Sequence, residues 1–148
     1  MQLRDYFPNL NKKYSKIFFS GISFDSSKIR KNDIFFAIKG NKFDGNNYIN
    51  IAIKKGAKVI VTEKKITKKR ENVVYLQSSN IRKLLANISY KILNKKPKKL
   101  VAVTGTNGKS SIADFFYQIL NLNKIPVAVI GTLGIYSKYY KKKTKLTS

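Results

Sequence analysis

The chain has 148 residues, with 31 Lys+Arg against 7 Asp+Glu, enough for one ordinary domain or two small ones. It contains no cysteine and no histidine, which excludes a disulfide framework, a thiolate or imidazole metal site and a serine–histidine triad. With 43% apolar residues, 8 Gly and 3 Pro, it has the material for a core and is neither collagen-like nor of low complexity, so its chemistry must run on Lys, Ser, Thr, Asn, Asp and backbone amides.

A net charge of +24 invites a nucleic-acid reading, since a basic surface releases counterions from phosphates. The lysines, however, are spread in pairs such as Lys12-Lys13, Lys54-Lys55, Lys64-Lys65 and Lys95-Lys96. That scatter reads as compositional bias on a solvated surface, so no specific nucleic-acid partner is expected. The densest candidate patch is Lys141-Lys142-Lys143 beside Tyr136, Tyr139 and Tyr140. No apolar run approaches the roughly 20 residues of a membrane span, and the start lacks a basic-then-apolar signal layout. A cytoplasmic monomer with no membrane partner is the expectation.

In chain order, Ile34-Phe35-Phe36-Ala37-Ile38 is a continuous apolar run suited to a buried strand, followed by a tight loop from Gly40 to Gly45. Residues 47 to 55 read as a helix stopped by Gly56, and residues 58 to 62 and 73 to 76 are β-branched strands. Between Ser79 and Leu93, apolar residues at 81, 84, 85, 88 and 92 mark one face of a helix, capped by Ser79 or Asn80. The polar stretch Asn94-Lys95-Lys96-Pro97-Lys98-Lys99 separates two regimes and sets domains at 1–95 and 96–148. The second regime opens with a strand over 100 to 104 and passes through a glycine loop into a helix with Ile112, Phe115, Phe116, Ile119 and Leu120 at helical spacing. A strand over 127 to 130 completes a right-handed βαβ unit, with one more short strand after it. The fold class is α/β.

The glycine loop, Gly105-Thr106-Asn107-Gly108-Lys109-Ser110-Ser111, is the strongest chemical signal. Glycines allow a tight turn and close backbone approach, so that successive N–H groups converge on phosphate oxygens at a helix start. Lys109 would reach the β- and γ-phosphates, and the Ser110 hydroxyl would coordinate the Mg²⁺ bridging them. The loop therefore predicts a bound nucleoside triphosphate with Mg²⁺. The common P-loop spacing wants glycine at position 103, where this chain has Val103.

Read from 104 to 111, Thr-Gly-Thr-Asn-Gly-Lys-Ser-Ser resembles the ATP loop of the Mur ligases, the ATP-dependent amino-acid-adding enzymes of peptidoglycan synthesis, and of the folylpolyglutamate synthetases. The first regime separates the two. The stretches Gly21 to Ile29, Asn32 to Gly40, Phe43-Asp44-Gly45 and Ala52 to Ala57 look like the small amino-terminal UDP-binding domain that precedes the ATPase domain in Mur ligases. Ile130-Gly131-Thr132-Leu133-Gly134 and Leu146-Thr147-Ser148 are most similar to the members adding the third amino acid, with the dipeptide-adding members as runner-up.

The resemblance implies roles position by position. Phe24 and Ser26 match residues that contact the UDP part of the substrate, and Asn41, Lys42 and Phe43 match the loop that closes over the nucleotide-sugar. Gly105, Thr106, Asn107, Gly108, Lys109, Ser110 and Ser111 match the ATP loop, with Lys109 catalytic and Ser110 the metal ligand. Leu146, Thr147 and Ser148 align with the segment that meets the muramoyl-peptide. One departure is Ser27, where the family usually has arginine. The implied reaction phosphorylates the D-glutamate carboxylate of UDP-N-acetylmuramoyl-L-alanyl-D-glutamate, and meso-diaminopimelate or L-lysine then attacks the acyl phosphate. The central ATPase domain reads as only begun, so the expectation is an amino-terminal fragment not competent alone. Another P-loop protein, or a basic nucleic-acid-binding module, stands as the alternative.

Overall fold

The structure is a computed structural model that describes residues 1–7, 10–67 and 69–143. The chain divides into two compact units, Met1–Lys96 and Pro97–Ser148. Among the described residues, no helix is long and apolar enough to cross a membrane.

The first unit is built on a parallel sheet of β1 (Ile22–Ser23), β2 (Ile34–Phe36), β3 (Val59–Thr62) and β4 (Val74–Gln77), in that spatial order. Its register pairs Ile34 with Val59, Phe35 with Ile60 and Val59 with Val74. Because side chains alternate between faces, a run as apolar as Ile34-Phe35-Phe36 makes sense only if both faces are covered. They are. Ile34, Phe36, Val59 and Val61 point into one cluster with Leu3, Phe7, Phe19, Ile81 and Ile88, while Phe35 and Ile60 point into a second with Ile29, Ala52 and Ala57. Phe35 and Phe36 are fully buried, each contributing about 1.5–3 kcal/mol by leaving water.

Two helices supply the cover. α1 (Ile49–Lys54) follows a 3₁₀ turn at Gly45–Tyr48, so the helical stretch expected over 47 to 55 is regular only in its second part. Gly56 closes α1 at φ +100°, and an added Cβ there would sit 3.0 Å from Lys31 Cα. α2 (Ile81–Ile92) buries Ile81 and Ile88. Of its two expected caps, Asn80 serves: its Oδ1 accepts from the Lys83 amide at 2.9 Å. The Glu63 carboxylate accepts from the Ile81 amide at 2.9 Å, placing negative charge where the helix dipole favours it.

The second unit holds α3 (Lys109–Leu122) and an antiparallel meander of β5 (Ala128–Gly131), β6 (Gly134–Ser137) and β7 (Tyr140–Lys142). Here the structure departs from the sequence reading. Residues 100 to 104 form no strand of either sheet, and β5 takes β6 as its neighbour, pairing Ile130 with Ile135, so no βαβ unit closes among the described residues of this second unit. The two-residue link Thr132-Leu133 brings β6 onto β5 at a small loop-closure cost, whereas a parallel neighbour must return through the whole of α3. Among the described residues two strands follow β5, not one.

The apolar face expected on α3 is present but turned outward. Phe115 is 62% exposed and Ile119 59%, while Ala113, Asp114, Tyr117 and Leu120 are half-buried. Tyr117 meets Tyr136 of β6 edge-on, with ring centroids 4.8 Å apart. Spacing alone finds an apolar stripe; it does not say which stripe meets the neighbouring strands.

Candidate functional site

In the second unit the chain bends sharply through the glycine loop into α3. Gly105 adopts φ +147° and Gly108 φ +74°, conformations that side chains rarely take, and Gly108 is the N-cap residue of α3. A glycine cap offers no side-chain acceptor. The first amides of the helix, at Lys109, Ser110 and Ser111, therefore meet an incoming anion with the positive end of the helix dipole.

Two side chains of this turn are already oriented. The Lys109 ammonium arches back over the loop and donates to the Thr106 carbonyl at 3.0 Å. The Ser110 hydroxyl lies 2.8 Å from the Thr132 hydroxyl, in the link between β5 and β6. One turn further along α3, Asp114 accepts from the Tyr136 hydroxyl at 2.7 Å and from the Gln118 amide at 2.6 Å. Burial and the Asp114 carboxylate push the Tyr136 phenol up to about 12, so it stays a neutral donor and ties the start of α3 to β6.

Ammonium, backbone amides and hydroxyls together suit a polyphosphate. Among the described residues no cluster of three or more His, Cys, Asp or Glu is placed to hold a metal ion. A cation held mainly by phosphate oxygens and one or two protein hydroxyls fits this donor set, as Mg²⁺ commonly is. Thr106, Asn107 and Ser111 lie exposed on the same turn.

In the first unit the candidate substrate residues fall in two loops. Phe24 is 66% exposed and lines an open cleft of about 200 Å³ with Asp25 and Lys28, facing Leu85 and Ser89 of α2. Ser26 opens the 3₁₀ turn Ser26–Lys28 and is half-buried. Ser27 is exposed and tied to its neighbour: its amide and hydroxyl both donate to Asp25 Oδ1, at 2.9 and 2.7 Å, and these bonds hold the Asp25 carboxyl below its ordinary value. The Lys55 ammonium donates to the Ser27 carbonyl at 2.8 Å.

Asn41, Lys42 and Phe43 form the exposed tip of the second loop, with Phe43 70% exposed. Its base is fixed. The Gly40 amide donates to the Phe43 carbonyl at 2.8 Å, and the Asp44 carboxylate takes the Lys64 ammonium at 2.7 Å and the Asn46 amide at 2.9 Å. Lys64 and Asn46 hold the Asp44 carboxyl well below the usual range. α2 is common to both loops, since Arg82 donates to the Lys39 carbonyl at 3.0 Å while Leu85 and Ser89 wall the cleft. Leu146, Thr147 and Ser148 lie outside the described residues.

Sequence reasoning passed over Thr132, Lys28, Leu85 and Ser89 as site residues. Thr132 could have been found from its place just beyond the carboxyl end of β5, where α/β proteins gather their ligand groups.

Comparison with known proteins gives consistent matches. The family model for the Mur ligase family, catalytic domain, matches residues 18–94, and that for the Mur ligase middle domain matches residues 103–148. Among characterised relatives, the chain is 43% identical over 81 residues to UDP-N-acetylmuramoyl-L-alanyl-D-glutamate–2,6-diaminopimelate ligase of Fusobacterium nucleatum, covering 55% of this chain and 16% of that protein. The enzyme of the same name from Clostridium tetani is 46% identical over 67 residues, covering 44% of this chain and 14% of that protein. The UDP-N-acetylmuramyl-tripeptide synthetase of Borreliella burgdorferi is 38% identical over 72 residues, covering 47% and 14%. The chain thus spans only 14–16% of the length of these relatives.

Among solved structures, a UDP-N-acetylmuramoyl-L-alanyl-D-glutamate–2,6-diaminopimelate ligase superposes with TM-score 0.76 at 22% identity over 95% of this chain and 29% of that one, a likeness of fold. The MurF ligase from Thermotoga maritima, solved in complex with ADP, gives TM-score 0.53 at 29% identity over 68% of this chain and 23% of that one.

Proposed function

Since the chain belongs to the Mur ligase family, we propose that it serves ATP-dependent amide-bond formation in peptidoglycan precursor synthesis, of the type that adds the third amino acid. The substrate is UDP-N-acetylmuramoyl-L-alanyl-D-glutamate and the amino acid added is meso-diaminopimelate or L-lysine. Cytoplasmic action as a monomer goes with this reading. The observation that carries it is the glycine turn at 105–108 running into α3 with Lys109 and Ser110 oriented over it. That a family relative is solved in complex with ADP supports nucleotide binding in this reading.

Each residue then has a physical task. The amides of Gly105 to Ser111 and the Lys109 ammonium neutralise the phosphates, Lys109 exchanging the Thr106 carbonyl for phosphate oxygens. The Ser110 hydroxyl would hold Mg²⁺, which would supply positive charge to the phosphates. Bound ATP supplies the phosphoryl group that activates the D-glutamate carboxylate toward the incoming amine. In the first unit, Phe24 offers an exposed ring against which the uracil stacks, Ser26 offers a hydroxyl to the same nucleotide, and Asn41, Lys42 and Phe43 close over the diphosphate. Leu146, Thr147 and Ser148 are assigned to the muramoyl-peptide.

The test is a titration of the isotope-labelled chain with the UDP-linked dipeptide, followed by backbone amide shifts. Saturable shifts at residues 24–28 and 41–43 are expected. No shift there would overturn the substrate assignment, and binding of ATP with indifference to every UDP compound would favour a different P-loop protein.

A further inference from the structure

Resting on the nucleotide reading of the glycine loop, we propose that Thr132 is a positioning residue for the metal–nucleotide complex, acting as the hydrogen-bond acceptor that aims the Ser110 hydroxyl at the cation. The observation is the 2.8 Å contact between Ser110 Oγ and Thr132 Oγ1, bridging the first turn of α3 and the link between β5 and β6. A hydroxyl has one proton and two lone pairs. When its oxygen ligates a divalent cation, the proton becomes a stronger donor and needs an acceptor, and it must point away from the metal. Thr132 Oγ1 stands where it can take that proton. With the proton directed there, a lone pair of Ser110 is left for the cation, and the rotor no longer has to be ordered when the metal arrives.

The surroundings hold this pair in place. Thr132 is half-buried in a two-residue link whose flanking glycines, Gly131 and Gly134, face each other in the ladder. The Asp114–Tyr136 hydrogen bond, one turn along α3 and two residues into β6, keeps the two elements in register. Thr132 itself touches neither phosphate nor metal on this reading; it works through Ser110.

The experiment measures ATP affinity of the full chain by calorimetry, in Mg²⁺ and in EDTA, for wild type, Ser110→Ala, Thr132→Val, Thr132→Ser and the Ser110→Ala/Thr132→Val double variant. Losing one neutral hydrogen bond predicts that Thr132→Val weakens the Mg²⁺ affinity roughly threefold to tenfold, with the ratio of Mg²⁺ to EDTA affinity falling and Thr132→Ser restoring it. In the Ser110→Ala background Thr132→Val should add nothing, because the group it orients is gone. Full additivity in the double variant, or a Thr132→Val ratio equal to wild type, would overturn the proposal while leaving the nucleotide site standing. Wild type that binds no ATP in either buffer would overturn both. If Thr132→Val fails to fold, Thr132→Ala set against Thr132→Ser gives the same contrast.

Discussion

The two units of this chain solve opposite problems. In the first, a parallel sheet is covered on both faces, and Ile34, Phe35, Phe36, Val59, Ile60 and Val61 are closed off from water. In the second, α3 carries no buried residue, and β5 shows alternating exposed and half-buried positions. What the second unit does possess is a constrained turn: two positive-φ glycines, an arched lysine and a hydroxyl pair. Order in a turn can thus be local, set by backbone conformation and hydrogen bonds, where order in a core is set by packing.

The sharpest way to break this contrast is a pair of truncations. Phe35→Ala should destabilise the first unit by about 3–5 kcal/mol, the usual cost of emptying a closed aromatic site. Phe115→Ala, at a position 62% exposed, should change stability by no more than about 0.5 kcal/mol. Urea unfolding followed by residue-resolved amide signals measures both, and equal losses would erase the distinction.

A second contrast separates function from stability. Lys109→Ala removes a charged donor from the turn and should weaken ATP binding by about 1.5–3 kcal/mol, tenfold or more in Kd, with no change in urea midpoint. Gly56→Ala should do the reverse. At φ +100° and with Lys31 Cα 3.0 Å from the new Cβ, it should cost the first unit about 1–2 kcal/mol and leave ATP binding alone. An ATP effect from Gly56→Ala, or a stability effect from Lys109→Ala, would contradict the assignment of tasks.

The smallest effects are those of pH. Asp44 is held below the ordinary carboxylate value by Lys64 and Asn46, so its folded state favours the ionised form. That stabilisation is complete above the unfolded carboxylate range and fades as pH falls below about 4. Asp44→Asn should flatten the acid limb of first-unit stability. Tyr136 runs the other way: pushed up to about 12 by burial and by Asp114, it favours the neutral form, and its stabilisation is complete below about 10 and fades as pH rises through 12. Tyr136→Phe should flatten the alkaline limb of the second unit only.

Much of the first unit was legible because its cues are redundant. The apolar run at 34–38 announces a buried strand, the β-branched runs at 58–62 and 73–76 announce two more, Gly56 marks a helix end, and Asn80 precedes an unmistakable helix face. β1 escaped because a two-residue strand has no periodicity to read. In the second unit the glycine loop was legible as a turn into a helix, and the structure bears this out with positive φ at Gly105 and Gly108 and α3 starting at Lys109. The ladder around β5 was not, because a strand's neighbour is chosen by competing closures that apolar content does not report. The Ser110–Thr132 pair was hidden for a similar reason: 22 residues separate the two hydroxyls in sequence, and only the turn into β6 brings them together.

The most direct measurement is the titration of the labelled chain with ATP and Mg²⁺, read residue by residue along the backbone. The account predicts saturable amide shifts concentrated at 105–111 and 132, with the remaining basic surface nearly silent. Shifts spread evenly over the lysine-rich surface, or absent from 105–111, would show that the glycine turn is not where a triphosphate is held.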